Sequence, residues 1–214
     1  MSLEGDCARK VSKTLRKHPS CAAFARRSRA EFRWSHGAIR CSTIRWLLIY
    51  SEASYMASPF ERLVATLDYP LYVVTTALQN RPAGCLIGFA TQCSIHPPRF
   101  LACISKKNHT LLLAHRAALL AVHIIEEKDK NIAELFGGET GDEVDKFARV
   151  SWHLAHGVPI LDACQRWFAG SILEQIDFGD HVGFLLEPID TKQNATSEQL
   201  TFQRARDIQP GHKP

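Results

Sequence analysis

The stretch that decides the fold covers residues 84–110 and reads GCLIGFATQCSIHPPRFLACISKKNHT. Its two apolar runs, 84–90 and 100–105, have the length and composition of buried strands. Between them Pro97 and Pro98 restrict φ and remove two backbone donors, so the chain must bend there. Residues 105–110 then supply hydroxyl, amide and lysine side chains together, a combination that can hold an anion such as a phosphate group.

Working outward, the surrounding sequence predicts more antiparallel strands and a few short helices. The β-branched run 71–76 and a turn at 79–82 predict a hairpin with 84–91. The remaining predicted elements are strands at 121–125, 167–176 and 181–188, a helix from a cap at Asn108 or Thr110 through Arg116, a helix at 129–136 stopped by Gly137 and Gly138, and one helical turn within the loop 141–150. The fold class is mainly β with short helices, arranged as an antiparallel barrel.

Length and composition indicate one well-buried domain with tails. The chain has 214 residues, of which 45% are hydrophobic and 22% charged. A membrane-spanning helix needs about 20 consecutive apolar residues. The longest candidate, 111–125, is interrupted by His115, Arg116 and His123, so we expect no membrane association.

The formal net charge of +4 is unevenly distributed along the chain. Residues 1–55 hold eleven Lys and Arg against four Asp and Glu, a charge of +7, which leaves fifteen against eighteen, or −3, for the rest. A nucleic-acid-binding domain concentrates its basic groups on the folded face that meets phosphates. The slightly acidic remainder therefore argues against a nucleic-acid partner.

The two ends of the chain are interpreted as lying outside the domain. Residues 1–55 form a basic leader that fits a disordered tail, an Arg-rich targeting peptide, or sequence upstream of a natural start at Met56. We favour the last interpretation, because acidic residues and cysteines are unusual in targeting peptides. The domain is predicted at 57–190, and the polar stretch 191–214 is predicted to be a mobile tail.

The seven cysteines show no Cys-x-x-Cys spacing, and Cys85, Cys93 and Cys103 lie in predicted strands. Buried reduced thiols are common in such positions. The cysteines therefore predict a reducing, cytoplasmic environment and no metal site.

A series of short motifs in a fixed order resembles the flavin reductase-like, FMN-binding split-barrel family over about residues 57–190. Each motif is weak alone, but their shared order makes the resemblance fairly specific. The motifs are Tyr72-Val73-Val74-Thr75-Thr76, Arg81-Pro82-Ala83-Gly84, Ser94-Ile95-His96-Pro97-Pro98, the run Ser105 to Thr110, Leu135-Phe136-Gly137, Asp145-Lys146-Phe147 and Gly179-Asp180-His181.

The resemblance implies an FMN-binding split β-barrel with a Greek-key-like antiparallel arrangement, assembled as a homodimer. It implies an NAD(P)H:flavin reductase that transfers a hydride from NADH or NADPH to FMN, with FAD as the alternative. Such an enzyme can serve a flavin-dependent monooxygenase as its partner. Two other classes stay open: an FMN-binding electron carrier without nicotinamide turnover, and a split-barrel protein that uses the deazaflavin F420.

The resemblance also implies the residues that hold the cofactor. The strand at 86–89 lies along the flavin in this family, and Gly88 would let the backbone approach a flat ligand, although a β-bulge also explains this glycine. This chain departs from the family in having apolar residues at 86–89 and a histidine at 96, where an acid is usual. The predicted cofactor-binding residues are Leu86, Ile87, Gly88, Phe89, Thr91, Ser94, Cys103, Ile104, Ser105, Lys107, Asn108, His109, Thr110, Phe136 and Phe147.

Two parts of this set have alternative interpretations that the residues leave open. The loop 105–110 is either a phosphate site or a solvated turn with a helix cap. His181 is predicted as the catalytic residue, near the nicotinamide, or else is a turn histidine at a strand start. Asp180 would orient its imidazole or end the turn. Phe136 and Phe147 are either cofactor contacts or core residues.

Overall fold

The computed structural model describes residues 58–194 and 197–211. The interpretations of residues 1–55 lie outside this part of the chain. Within it, no helix is long and apolar enough to cross a membrane.

Seven antiparallel strands form one sheet, and two further strands form a small hairpin. The strands are β1 Tyr72–Leu78, β2 Arg81–Ile87, β3 Ala90–Ser94, β4 Arg99–Ser105, β5 Leu119–Ile124, β6 Trp152–Ala155, β7 Val158–Leu161, β8 Arg166–Asp177 and β9 His181–Gln193. The helices are α1 Pro59–Val64, α2 His109–Ala114 and α3 Lys130–Gly138, with single 3₁₀ turns at Glu127–Asp129, Lys146–Arg149 and Gln203–Ala205. The predicted class, mainly β with short helices, is confirmed.

The strand order in the large sheet is β2-β1-β5-β8-β9-β4-β3, and the small sheet pairs β6 with β7. Strands β2 and β3 are consecutive in the chain but lie at opposite edges of the sheet. Since two residues join them, the sheet must curl round until its edges meet. The result is a barrel whose seam lies between β2 and β3.

The predicted hairpin of β1 and β2 is confirmed. Leu78 pairs with Arg81, so the loop contains two residues, Gln79 and Asn80, with φ of 51° and 63°. Positive φ at both positions is what a type I′ turn requires, and its twist matches that of paired strands. Pro82, predicted to lie in the turn, belongs instead to β2, where an edge strand tolerates its missing donor.

The predicted strand at 84–91 is interrupted. Strand β2 ends at Ile87, and β3 begins at Ala90 and pairs with β4 at the other edge of the sheet. Phe89 lies between them, and its carbonyl accepts a hydrogen bond from Cys103 N at 2.9 Å. The apolar run is continuous in sequence, but its two ends pair with different strands. Pairing with different strands therefore divides this apolar run into two strands.

Helix α3 contains the two glycines that were predicted to stop it. It continues through Gly137 and Gly138 and ends where Glu139 adopts an extended conformation. A Cβ at position 137 would lie 2.7 Å from Leu86 Cδ2, so this glycine allows close packing of α3 on β2. Its role is contact between elements instead of helix termination.

The polar C-terminal stretch is not wholly a tail. We call residues 197–211 the C-terminal segment; it packs against the start of β1 through backbone hydrogen bonds. Leu71 N donates to Leu200 O, and Phe202 N donates to Tyr69 O, both at 2.9 Å. Leu200 is 1% exposed. A few apolar side chains spaced among polar ones anchor the segment, which the average composition of 191–214 concealed.

A buried carboxylate ties the start of this segment to the sheet. Glu126, 1% exposed, accepts hydrogen bonds from Arg166 Nε at 3.0 Å and from the hydroxyl of Ser197, and Lys128 Nζ lies 2.8 Å away. The hydrogen bond with Lys128 does most to hold the pKa of Glu126 below its usual range. Buried charges need such compensation, so loss of a partner would leave the carboxylate uncompensated.

His123 is fully buried on β5 and connects it to two other strands. Its Nε2 accepts a hydrogen bond from Leu161 N at 3.1 Å, and its Nδ1 lies 3.0 Å from Val73 O. Because Nε2 accepts, the ring proton must sit on Nδ1 and be donated to the Val73 carbonyl. Burial lowers the pKa of His123 to about 4, so the histidine is neutral in the folded protein.

This histidine predicts a loss of stability in mild acid. Between about pH 6.5 and pH 4 the unfolded chain binds more protons at His123 than the folded chain does. The free energy of unfolding should therefore decrease as the pH is lowered through this range, by about 1.4 kcal/mol per pH unit. Urea unfolding at pH 7.5, 6 and 5 measures it. The His123→Gln variant should lose this part of the pH dependence, whereas the variant of an exposed histidine, His115→Gln, should keep it. An equal dependence of the unfolding free energy on pH in wild type and His123→Gln would contradict the assignment.

Candidate functional site

A cleft of about 270 Å³ opens beside the crossing from β2 to β3. Its walls come from the end of β2, the end of β4, the start of β9, the end of α3 and the C-terminal segment. Nine predicted site residues line it: Leu86, Ile87, Gly88, Phe89, Cys103, Ser105, Asn108, Phe136 and His181. Positions far apart in sequence thus meet in one place. Ser105 and His181, for example, are direct partners in the pairing of β4 with β9.

Seven other predicted site residues do not line this cleft: Thr91, Ser94, Ile104, Lys107, His109, Thr110 and Phe147. Successive side chains on a strand point to opposite faces, so Ile104, fully buried, faces the barrel core while its neighbours face the cleft. Thr91 and Ser94 follow the crossing on the edge strand β3. Phe147 packs edge-on against Phe136, with ring centroids 5.5 Å apart.

A second, larger cleft of about 860 Å³ lies between the β1–β2 turn, α2 and the loop 141–148, and His109, Thr110 and Phe147 line it. Lys146, also in its lining, is 4% exposed. Its ammonium donates to Phe136 O at 3.0 Å and lies 5.6 Å from the Phe136 ring centroid. Burial lowers the pKa of Lys146. This lysine holds the loop against α3, and so fixes a ring that lines the first cleft.

The loop 105–110 presents neutral donors to the first cleft. Ser105 Oγ accepts a hydrogen bond from Lys107 N, and Asn108 Oδ1 accepts one from Thr110 N, which confirms Asn108 as the cap of α2. The Ser105 hydroxyl hydrogen and the Asn108 amide group are still able to donate to a ligand. Lys106, predicted as part of an anion site, instead binds both carboxylate oxygens of Asp177, at 2.8 and 2.7 Å.

His181 is held in a defined orientation at the mouth of the cleft. Its Nδ1 lies 2.8 Å from Asp180 Oδ1, and its ring centroid is 5.1 Å from that of Phe89. The hydrogen bond to His181 lowers the pKa of Asp180. Lys106 N donates to Asp180 O at 2.8 Å, which fixes the turn to the loop 105–110. Nε2 is therefore the His181 nitrogen that can contact a ligand.

The sequence interpretation missed the wall formed by Tyr69 and the C-terminal segment. Tyr69, Phe202, Ala205, Ile208 and Pro210 all line the cleft. The sequence signal was the spacing of apolar residues within the polar stretch after residue 197. No sequence pattern placed Tyr69 at the cleft, because its position depends on how the chain crosses at Gly88.

Gly88 makes room for Tyr69. A Cβ at position 88 would lie 2.5 Å from Tyr69 Cε2, closer than real Cβ contacts come. The glycine therefore leaves space for a side chain of the protein itself, whereas the sequence interpretation offered a ligand's approach or a β-bulge as its reason. The Tyr69 ring also stacks on Phe202, with centroids 4.8 Å apart and 14° between planes.

The cleft lining is mostly uncharged and apolar, and its acidic member, Glu139, is paired with Arg149 at 2.8 Å. Burial raises the pKa of the Cys103 thiol, so at neutral pH Cys103 is an uncharged part of the wall. Within the described residues no group of three metal-ligating side chains occurs. A flat, partly apolar ligand with a hydrogen-bond-accepting group matches these walls.

Comparison with known proteins gives a consistent result. The family described as flavin reductase like domain matches residues 64–209. FMN reductase (NADH) RutF of Serratia proteamaculans is 27% identical over 148 residues, covering 67% of this chain and 82% of that protein. The reductase subunit Stc3 of stachydrine N-demethylase from Rhizobium meliloti is 32% identical over 114 residues, covering 51% of this chain. The match spans about half of Stc3, 48% of its length.

Among solved structures, an FMN-binding protein from Thermus thermophilus is similar at 27% identity with a TM-score of 0.58. The alignment covers 64% of this chain and 76% of that protein.

The contact between position 88 and Tyr69 predicts a non-additive pair of substitutions. Gly88→Ala should lower the free energy of unfolding by about 1–3 kcal/mol, because its methyl group would overlap the Tyr69 ring. In a Tyr69→Ala background the same change should cost less than about 0.5 kcal/mol. Urea unfolding of the four proteins completes the cycle. Additive costs would show that Tyr69 is not the reason for the glycine.

Proposed function

Because the chain belongs to the flavin reductase-like domain family, we propose that it is a flavin-dependent oxidoreductase that reduces FMN with NADH or NADPH. FAD is the alternative flavin. The observation that carries the proposal is the meeting of residues 86–89, Ser105, Asn108 and His181 in one cleft. These are the positions at which the family resemblance predicts ring, phosphate and nicotinamide contacts.

The residues present fit a flavin. The Ser105 hydroxyl and the Asn108 amide can donate to phosphate oxygens, while Leu86 and Phe89 give the ring an apolar surface. When bound, the flavin supplies the two-electron chemistry, and the protein supplies binding and orientation. Ligand sites commonly enclose about 300–1,000 Å³. A cleft of about 270 Å³ would leave part of the flavin in solvent, which suits exchange of the cofactor.

His181 has the role of contacting the nicotinamide in this proposal. With Nδ1 held by Asp180, Nε2 can hydrogen-bond to a carboxamide group or place positive charge near the ring. Phe89 packs beside the imidazole and limits its rotation. The predicted contacts of Thr91, Ser94, Ile104, Lys107, His109, Thr110 and Phe147 with the flavin stay proposals, with no placement at the first cleft to support them.

The partners and setting are also proposed. NADH is supported by the name of the RutF relative, and NADPH stays the second donor to be tested. A partner enzyme is supported by the name of Stc3, the reductase subunit of a demethylase, and a flavin-dependent monooxygenase is the partner that we propose. We further propose a homodimer and a cytoplasmic location, as the family resemblance and the cysteine pattern imply.

A flavin-binding carrier is the second candidate function. The specific observation in its favour is the 27% identity to the FMN-binding protein of Thermus thermophilus. The carrier would bind FMN in the same cleft without turnover of a nicotinamide.

The proposal predicts catalytic bleaching of the flavin band. The protein with FMN should lose its visible absorption anaerobically when NADH or NADPH is added, with many FMN molecules reduced per protein molecule. Heat-denatured protein is the control. Binding of FMN without bleaching would favour the carrier or an F420-dependent activity, and no binding of FMN would contradict both candidates.

Asp180 is expected to act by orienting His181. Asp180→Asn should lower kcat/KM for the nicotinamide about tenfold, the order expected from weakening one charge-assisted hydrogen bond, and leave the Kd for FMN unchanged. Asp162→Asn, which alters the exposed His153–Asp162 pair, is a matched control that should have no effect. An unchanged kcat/KM would remove Asp180 from the account.

A further inference from the structure

Aromatic side chains form a continuous row along the cleft. The ring of His181 lies 5.1 Å from that of Phe89, Phe89 lies 6.1 Å from Tyr69, and Tyr69 lies 4.8 Å from Phe202. The sequence interpretation placed two of these rings, Phe89 and His181, at the site. Tyr69 and Phe202 extend the row across the cleft to the C-terminal segment.

The Tyr69–Phe202 stack is fixed on both sides. One side of Tyr69 fills the space left by the missing Cβ of Gly88. On the other side, Phe202 N donates to Tyr69 O at 2.9 Å, and Gln203 N donates to Asp68 Oδ1 at 2.9 Å. These hydrogen bonds fix the backbone that carries both rings, so little backbone ordering would be needed on binding.

The C-terminal segment carries this wall across the cleft. It starts near Ser197, which binds the buried Glu126, and it reaches α3, where Gly211 N donates to Gly137 O at 3.0 Å. Between these anchors Ala205 and Ile208 add apolar surface to the lining. The segment therefore forms one side of the cleft, attached at both ends.

The wall matches one ligand chemistry. Offset or parallel stacking of conjugated rings contributes about 0.5–1.5 kcal/mol beyond burial, and an aliphatic side chain cannot provide it. We propose that the Tyr69–Phe202 stack is a binding wall for a planar conjugated ring and that Phe202 sets the affinity for it. The inference rests on the proposed function for one point, namely that the ring is that of FMN. A small aromatic carbonyl compound also presents a planar conjugated ring.

The test uses the full chain, freed of flavin, with Phe202→Leu and Phe202→Tyr. The Kd for FMN is measured by quenching of flavin fluorescence, and the Kd for 4-hydroxybenzaldehyde by calorimetry, with cyclohexylmethanol as a ligand that lacks a conjugated ring. Phe60→Leu on α1, where Phe60 is 70% exposed, is the matched control. Thermal unfolding without ligand confirms that each variant is folded at the temperature of the titration.

Phe202→Leu should weaken binding of a conjugated ligand, FMN or 4-hydroxybenzaldehyde, about fivefold, or ~1 kcal/mol. Phe202→Tyr should stay within about twofold of wild type, and Phe60→Leu should be unchanged. If Phe202→Leu does not fold, Phe202→Met carries the same expectation. Equal affinities of the Leu or Met variant and wild type for both ligands would overturn the inference.

The two ligands separate this inference from the proposed function. If wild type binds no FMN but binds the aldehyde with the predicted ranking of variants, the wall stands and the flavin assignment fails. If FMN is bound and reduced with no difference among variants, and the aldehyde shows none, the flavin assignment stands and the wall is overturned. Binding of neither ligand overturns both.

Discussion

The chain leaves one edge of the seven-stranded sheet at Ile87 and joins the other at Ala90, and the cleft depends on this crossing. The crossing is short, so it brings the two edges of the barrel together. It exposes Phe89, 57% accessible, beside His181, and fixes the Phe89 carbonyl to Cys103. It also needs a residue without a side chain at 88, because Tyr69 occupies that space. Gly88 and Phe89 therefore form both the crossing between the sheet edges and part of the cleft wall.

Polar interactions hold the other walls against this crossing. The hydrogen bond from Lys106 N to Asp180 O joins the start of β9 to the end of β4, and the Asp180 side chain in turn orients His181. The lysine side chain neutralises Asp177 instead of facing the cleft. Glu139, which is paired with Arg149, is an acidic member of the cleft lining, and His181 lies at one end of the aromatic row; most other lining groups are uncharged. A mostly apolar pocket suits a ligand whose ring is apolar and whose charge lies at one end.

Local signals in the sequence predicted the parts of the fold that local chemistry decides. The two-residue turn at Gln79 and Asn80, the cap at Asn108 and the closing strands β8 and β9 all follow from short patterns. The crossing at Gly88 could not be predicted this way, since residues 84–90 form one apolar run whose two ends choose different partners. The family resemblance located nine of the cleft residues. It missed the C-terminal segment because the position of this segment depends on a few anchoring side chains, which its mostly polar composition does not reveal.

The central claim is that flavin binds in the cleft beside the crossing, and mapping the backbone amide signals by NMR during an FMN titration tests it most directly. The account predicts shifts concentrated at residues 86–89, Ser105, Asn108 and His181, with a second group at 200–208. It also predicts little change around the larger cleft near Arg81 and Arg116. Shifts centred on that larger cleft, with the crossing unaffected, would contradict the account.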